Sequence, residues 1–367
     1  MNKAVSTYLD LIRLLAAAAV FIVHAHYILP HGFPILWRFA GLGGDAVTTF
    51  FVLSGFVIAY VSQVRDLTLT SYLTSRAARL YSVVVPALLL TAVLDVSGAM
   101  INPAPYEGLL NDPVWRIAAN LLFVNELWFG TTRPLSNIPF WSLGYEAWYY
   151  VIFAAAYYPR SAVVKYVGVT IACLISGPKV LLLLPVWLLG VGAYFMTRDR
   201  KPTAFIGWTL VIVSTVAYVG LQYVDAHSRL FDWSLAIFGK DLELLGTSKR
   251  FLYCYIVGIL MTLHLVGFIS IAPRFTWLAQ KFGAAVQKGA AYTFAIYLLH
   301  YPLLQFATVV TDGHLNVNAQ ALVVVGSSAL AIWGLGNVTE MRKGHLKQVF
   351  SEWCDAIVRK VRANPAP

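Results

Sequence analysis

The chain has 367 residues, of which 59% are hydrophobic and only 12% are charged, and its mean hydropathy is +0.69. These values are far from those of a soluble domain, and the long apolar runs lack the alternation of a transmembrane barrel. The sequence therefore predicts an all-α polytopic integral membrane protein. Membrane topology explains the net charge of +10, so no nucleic-acid partner is expected. Three cysteines without paired spacing predict neither a disulfide framework nor a zinc site.

Ten apolar runs are predicted to form membrane-spanning helices. They cover residues 9–29, 45–62, 79–98, 141–158, 162–176, 179–196, 203–224, 251–271, 290–311 and 317–336. With the N-terminus in the cytoplasm, most of the 27 lysines and arginines lie in cytoplasmic connections or in the tail, so both termini are predicted to be cytoplasmic. Two long outer connections, 99–140 and 225–250, are rich in aromatic and polar residues. They suit a sugar ligand, although interfacial Trp and Tyr also form aromatic belts in any membrane protein.

The first run contains two ionisable residues, Arg13 and His24. Their separation of eleven positions places them about 20° apart around a helix and about 16 Å apart along it. They are therefore predicted to line one groove at two depths, which suits a long ligand held by a cation at one end and attacked with the help of a base at the other. In the alternative interpretation, Arg13 reaches the headgroups and His24 is a core histidine with satisfied hydrogen bonds.

The second and third runs contribute further candidates. Asp45 follows a glycine-rich turn at a depth close to that of His24 and is predicted to orient its imidazole. Ser54 lies within FFVLSGF and is a candidate substrate-binding residue, although this stretch also suits close helix packing. Arg76 and Arg79 share one helical face at the cytoplasmic surface and are predicted to bind phosphate, although they also serve as topology signals.

The fourth and ninth runs carry the remaining candidates. In FWSLGYEAWYYV, Glu146 lies about 7 Å below Trp141, near the level of His24, and is a candidate catalytic carboxylate. Trp141, Ser142 and Tyr145 of this stretch are candidate substrate-binding residues. In AIYLLHYPLL, His300 is a candidate catalytic residue at mid-membrane, and Pro302 leaves a backbone carbonyl without its usual donor.

Residues 1–338 are predicted to form the transmembrane domain and residues 339–367 a basic amphipathic cytoplasmic tail.

Five motifs occur together in this order: Arg13-x10-His24, FFVLSGF, RxxRLY at 76–81, WSLxxE at 141–146 and YLLHYP at 297–302. In these motifs the chain resembles the acyltransferase-3 family of membrane acyltransferases over residues 9 to about 336. The resemblance implies about ten spans and transfer of an acyl group, usually acetyl from acetyl-CoA, to sugar hydroxyls of exported or surface glycans. It also implies that Arg13 and His24 are linked to activity. A sub-branch of the family modifies macrolide antibiotics instead.

The chain departs from the family pattern at several places. Family members often have Gly-Val-Asp shortly before the paired phenylalanines, where this chain has Ala46, Val47 and Thr48. The proline that commonly follows the RxxR segment is delayed to Pro86. An SGNH-type hydrolase domain, present in larger members, is not expected here.

The expected mechanism places the phosphates of acetyl-CoA, as co-substrate, on Arg13, Arg76 and Arg79, with no metal. His24 acts as general base on the acceptor hydroxyl. Glu146 orients His24 or binds sugar hydroxyls, and His300 stabilises the oxyanion or caps the helix kink. A covalent acyl-histidine would add a step that the sequence does not require.

The expected partners are acyl-CoA, a glycan or lipid-linked sugar acceptor and membrane lipids. A homo-oligomer is a further expectation. The expected location is the bacterial cytoplasmic (inner) membrane. Three alternatives remain open at this point: a small-molecule acceptor such as a macrolide, a polysaccharide or lipid transporter, and a non-catalytic binding scaffold.

Overall fold

The computed structural model describes residues 2–29 and 41–339, together with the isolated positions 348 and 352. Within these residues the secondary structure is helical and contains no strand, which confirms the all-α membrane class. The predicted tail of residues 339–367 lies outside the described residues, apart from those isolated positions and its first residue.

Twelve α-helices follow one another in the described residues, and the longest connection between these helices precedes the fifth of them. They are α1 Lys3–Ile28, α2 Leu42–Val64, α3 Leu69–Ile101, α4 Pro113–Leu121, α5 Trp141–Tyr157, α6 Ala162–Asp199, α7 Ala204–Tyr223, α8 Ala226–Phe238, α9 Phe251–Ile271, α10 Thr276–Ala290, α11 Thr293–Thr311 and α12 Val317–Thr339. In the part of the chain that the structure describes, eight segments are long and apolar enough to cross a membrane. Each of the ten predicted runs lies largely within a helix of this series.

Helix α6 contains two predicted runs, and its backbone breaks between them at Gly177, where φ is 78° and ψ is 175°. Gly168 faces Ala155 of α5, whereas Trp187 packs against Phe153 of the same helix with ring centroids 5.8 Å apart. A straight helix would place Gly168 and Trp187 about 28 Å apart. Both halves of α6 therefore lie along α5, and the chain reverses direction at Gly177.

The closest helix contact in the core joins α2 to the second half of α6. A Cβ atom at Gly55 would overlap the backbone carbonyl of Trp187, and one at Gly190 would overlap the carbonyl of Val52. Only glycine permits this approach of two backbones. The packing interpretation of the FFVLSGF stretch therefore holds for Gly55, and the contact brings α6 against the neighbouring Ser54.

Helix α10 was not predicted from the sequence. Gly283 faces Thr7 and Gly289 faces Leu14, so α10 runs beside the first half of α1 in the same direction. Helix α11 continues along the second half, where His300 meets His24. Together, α10 and α11 hold α1 along its whole length, which positions the residues of α1 relative to α11.

Candidate active site

A first cavity, which we call the inner cavity, is lined by the three arginines that were predicted to bind phosphate. Its lining includes Arg13 from α1, Arg76 and Arg79 from α3, and Thr293 and Phe294 from the start of α11. Two helices, α1 and α3, thus bring the three arginines to one place beside the start of α11, with the guanidinium carbon of Arg79 lying 5.8 Å from the ring centroid of Phe294. A cavity lined by three guanidinium groups favours an anionic ligand with several oxygen atoms.

Arg13 and Arg76 have acidic partners. Arg13 lies 3.8 Å from Asp10, one turn earlier on α1. Arg76 donates from Nη2 to Oδ2 of Asp66 at 3.1 Å, and the Asp66 side chain is completely buried. Ser75 also donates to Asp66, at 3.1 Å. Arg76 is therefore fixed in orientation, while its Nε atom is buried without a hydrogen-bond partner among the described residues.

Glu146 lies in the inner cavity and not beside His24. Its Oε1 atom accepts hydrogen bonds from Ser54 Oγ and from the Tyr150 hydroxyl, each at 2.5 Å. Trp187 Nε1 donates to Ser54 Oγ at 3.2 Å. The expectation that Glu146 orients His24 is corrected by these contacts, because the carboxylate of Glu146 points toward α2. Tyr150, one turn after Glu146, was missed by the sequence analysis.

A second cavity, which we call the outer cavity, has a volume of about 680 Å³ and is lined by His24. Trp141 at the start of α5, Gln222 at the end of α7, and His227 and Arg250 from the outer connection also line it. The volume falls within the range of about 300 to 1,000 Å³ that is usual for small-ligand sites.

Two residues, Val47 and Tyr297, line both this cavity and the inner one. The two cavities therefore meet at these side chains.

His24 is held by His300. Nε2 of His300 lies 3.0 Å from Nδ1 of His24, and Nδ1 of His300 lies 2.8 Å from the carbonyl oxygen of Ile296. Nδ1 of His24 is also 3.0 Å from the carbonyl oxygen of Val20.

These contacts assign the tautomers of two neutral imidazoles. A carbonyl can only accept, so Nδ1 of His300 carries its hydrogen and Nε2 of His300 is an acceptor. The hydrogen between the rings therefore belongs to Nδ1 of His24. Nε2 of His24 keeps its lone pair, and His24 lines the outer cavity.

The carbonyl that Pro302 leaves without a donor inside α11 is hydrogen-bonded from outside the helix. Pro302 has no N–H group for the carbonyl of Leu298, one turn earlier. Asn137 Nδ2 donates to that carbonyl at 2.8 Å and to Thr91 Oγ1 at 3.2 Å.

The neighbouring Ser136 donates twice to Asp95, from its backbone and its hydroxyl, at 2.7 Å each. The segment before α5 is therefore joined to α3 and to α11 close to His300.

Asp45 does not contact His24, which corrects the expectation that it orients the imidazole. Its Oδ2 atom accepts hydrogen bonds from the Tyr218 hydroxyl at 2.6 Å, from Gln222 Nε2 at 2.9 Å and from the Tyr253 hydroxyl at 3.3 Å. Asp45 lies at the start of α2 on the side that faces α7 and α9, so its carboxylate turns away from α11. These bonds tie α2 to α7 and α9.

The predicted substrate-binding residues lie in three different places. Trp141 lines the outer cavity, and Ser54 and Ser142 line the inner cavity. Tyr145 is completely buried and its hydroxyl lies 2.9 Å from Ser248 Oγ. Its predicted role in substrate binding is therefore corrected: it supports Trp141, whose ring centroid lies 5.1 Å from its own.

The outer loop beside the cavities is held by a buried ion pair. Lys179 lies 2.5 Å from Glu126, and its ammonium also donates to the Gly130 carbonyl and to Thr131 Oγ1. Burial raises the pKa of the Glu126 carboxyl, and the nearby Lys179 ammonium opposes that shift. The loop is therefore anchored to α6 just after the break at Gly177.

A family model described as an acyltransferase domain matches residues 6–336, which is nearly the whole chain. The chain belongs to the acyltransferase-3 family. An O-acetyl transferase of Shigella phage Sf6 is 26% identical over 319 residues, which cover 82% of this chain and 85% of that protein. No solved structure matches the chain. Together with the apolar helices, this assignment makes the protein a membrane-embedded acyltransferase.

Proposed function

We propose that this acyltransferase transfers an acetyl group from acetyl-CoA to a hydroxyl of a glycan or glycolipid at the outer side of the membrane. The observation that carries the proposal is the meeting of two cavities with different chemistry. Three arginines line the inner cavity, and His24, whose Nδ1 atom faces His300, lines the outer cavity. In this proposal the enzyme lies in the bacterial cytoplasmic membrane.

The inner cavity suits the donor. Coenzyme A carries several phosphate groups at one end of a long pantetheine arm, and its thioester lies at the other end. Arg13, Arg76 and Arg79 supply guanidinium groups, which bind phosphate oxygens in pairs. The arm then lies along α1 toward His24, which is about 16 Å further along the helix. In this arrangement the thioester reaches the junction of the two cavities.

The outer cavity suits the acceptor. Trp141 offers an aromatic face, and Gln222, His227 and Arg250 offer polar groups around it. A sugar presents a ring face and several hydroxyls, so it matches this combination. The O-acetyl transferase of Shigella phage Sf6 supports an oxygen atom as the acceptor of the acetyl group.

His24 is the general base of the proposed reaction. Its Nε2 atom takes the proton of the acceptor hydroxyl as the oxygen attacks the acyl carbon. His300 contacts the opposite side of the His24 ring and acts as a positioning residue, because its bond to Nδ1, together with that of the Val20 carbonyl, favours the tautomer with a basic Nε2. Glu146 has no place in this proton transfer, since it is bonded to Ser54 and Tyr150.

The proposal is tested with purified protein in nanodiscs, using CoA binding by calorimetry and release of CoA thiol from acetyl-CoA. Arg13→Ala is expected to weaken CoA binding by about 10-fold or more, the loss of roughly one charge-assisted contact. His24→Gln is expected to keep CoA binding and to lower turnover by about 100-fold or more.

Two substitutions serve as matched controls. Arg198→Ala removes an exposed arginine that pairs with Asp199, outside both cavities. His264→Gln changes a histidine of α9 that lines neither cavity. Both variants are expected to behave as wild type. A wild-type protein that binds no CoA would refute the donor, and full turnover by His24→Gln would refute the base.

A further inference from the structure

We propose that the hydroxyl pair formed by Tyr297 and Ser142 donates the hydrogen bond that stabilises the oxyanion of the acyl-transfer step. This inference rests on the proposed function, since it concerns the thioester of the same donor. Neither residue was assigned this role from the sequence: Ser142 was a candidate for substrate binding, and Tyr297 was not a candidate at all.

The position of Tyr297 is the first argument. Tyr297 and Val47 line both the inner and the outer cavity, and the side chain of Val47 has no hydrogen-bond donor. If the donor occupies one cavity and the acceptor the other, the reacting carbon lies where the cavities meet. Tyr297 therefore presents a hydroxyl beside that carbon.

The hydrogen-bond count of the pair is the second argument. The Tyr297 hydroxyl lies 2.7 Å from Ser142 Oγ, and both side chains are buried. Two hydroxyls carry two hydrogens, and the bond between them uses one. The other hydrogen has no acceptor among the described residues. One O–H group of the pair is therefore available to donate a hydrogen bond. Because the pair is buried, such a bond to a charged oxygen is strong.

His300 does not supply this donor. Its Nδ1 hydrogen is bonded to the Ile296 carbonyl, and its Nε2 atom accepts from His24. A neutral His300 therefore has no hydrogen left for an oxyanion. Of the two roles expected for His300 from the sequence, oxyanion stabilisation is excluded by these bonds.

Both members of the pair are held in place. Tyr297 directly precedes Leu298, whose carbonyl is bonded to Asn137. Ser142 lies in the first turn of α5, where the helix dipole favours negative charge. Stabilisation by fixed donors is effective because they need little rearrangement as charge develops.

The acyl transfer proceeds through a tetrahedral intermediate. The acceptor oxygen forms a bond to the acyl carbon while its proton passes to Nε2 of His24. The electron pair of the carbonyl bond moves to the carbonyl oxygen, which accepts the hydrogen bond from the Tyr297 and Ser142 pair. The tetrahedral intermediate then re-forms the carbonyl and breaks the carbon–sulfur bond. CoA leaves as a thiolate and takes the proton from His24, so the products are the ester and CoA thiol.

The test compares Tyr297→Phe with wild type in the purified full-length protein, by steady-state turnover of acetyl-CoA and by CoA binding. Loss of one oxyanion donor is expected to lower kcat by about 100-fold, with KM and CoA affinity unchanged. Ser142→Ala leaves the Tyr297 hydroxyl able to donate, so its loss of kcat is expected to be smaller, about 10-fold. Tyr292→Phe, the same change at the start of α11, lines neither cavity and is expected to leave kcat unchanged.

The acid limb of the kcat profile against pH separates this role from a structural one. Since His24 remains the base, Tyr297→Phe is expected to lower the whole profile without moving its acid limb. A kcat within twofold of wild type for Tyr297→Phe overturns the inference and leaves the proposed function standing. If Tyr297→Phe does not fold, a wild-type kcat for Ser142→Ala overturns it. A wild type without CoA binding or turnover refutes the proposed function itself.

Discussion

Nε2 of His300 accepts a hydrogen bond from Nδ1 of His24 across 3.0 Å, between two helices whose histidines lie 276 positions apart in the chain. This bond and the contact of the same nitrogen with the Val20 carbonyl place the hydrogen on Nδ1 and leave Nε2 of His24 basic. The carbonyls of Val20 and Ile296, each one turn earlier on its own helix, fix the direction of the hydrogen bonds at both rings.

Replacing His300 tests this relationship. His300→Phe removes one of the two acceptors of the His24 Nδ1 hydrogen and leaves only the Val20 carbonyl to orient the ring, so we expect kcat to fall by about 10- to 100-fold, as is usual for loss of an orienting partner. His300→Gln can supply a carbonyl oxygen to Nδ1 of His24 and is expected to recover part of the loss. Steady-state turnover of acetyl-CoA measures both effects, and CoA binding serves as the control. Equal kcat for His300→Phe and wild type would contradict the role of the bond.

The Asn137 contact with α11 predicts a rescue. Asn137→Ala leaves the Leu298 carbonyl buried without a donor, and we expect a loss of about 1 to 3 kcal/mol in the free energy of unfolding. Pro302→Ala restores a backbone N–H for the same carbonyl. The double variant is therefore expected to regain stability relative to Asn137→Ala alone. Thermal unfolding in detergent gives the comparison, and additive effects of the two substitutions would show that the carbonyl is not their common target.

The contact between α2 and α6 predicts a position-specific effect of alanine. Gly190→Ala would overlap the Val52 carbonyl, whereas a Cβ at Gly192 on the same helix meets no atom within 4 Å. We expect Gly190→Ala to destabilise the protein by about 1 to 3 kcal/mol and Gly192→Ala to be neutral or slightly stabilising. Thermal unfolding of the two variants checks this difference. Similar unfolding temperatures for both would show that the helices separate at little cost.

Asp66 predicts an indirect effect on donor binding. Its buried carboxylate fixes Arg76 from the side and accepts a further hydrogen bond from Ser75. Asp66→Asn removes the charge that orients Arg76, so we expect weaker CoA binding with an unchanged kcat at saturating acetyl-CoA. Calorimetry and steady-state kinetics separate the two quantities. Asp199→Asn, the same change beside the exposed Arg198, is the matched control and is expected to leave CoA binding unaltered.

The sequence by itself determined the membrane class, the helical runs and the shared groove side of Arg13 and His24. These features depend on composition and on the helical repeat within one segment, which are local properties. It also indicated that Pro302 frees a carbonyl. Tyr297 lies three residues before His300 in the same motif, hence on the same helical face, and this spacing was the available signal for the missed residue.

Only the tertiary structure decided which side chains meet. Depth in the membrane suggested Asp45 or Glu146 as the partner of His24, but depth does not specify the direction in which a helix faces. The approach of α2 to α6 at Gly55 and the packing of α10 and α11 along α1 set those directions. They turn Asp45 toward α7, Glu146 toward Ser54, and His300 toward His24. Hydrogen bonds between helices need both distance and orientation, and these arise only when all the helices are packed together.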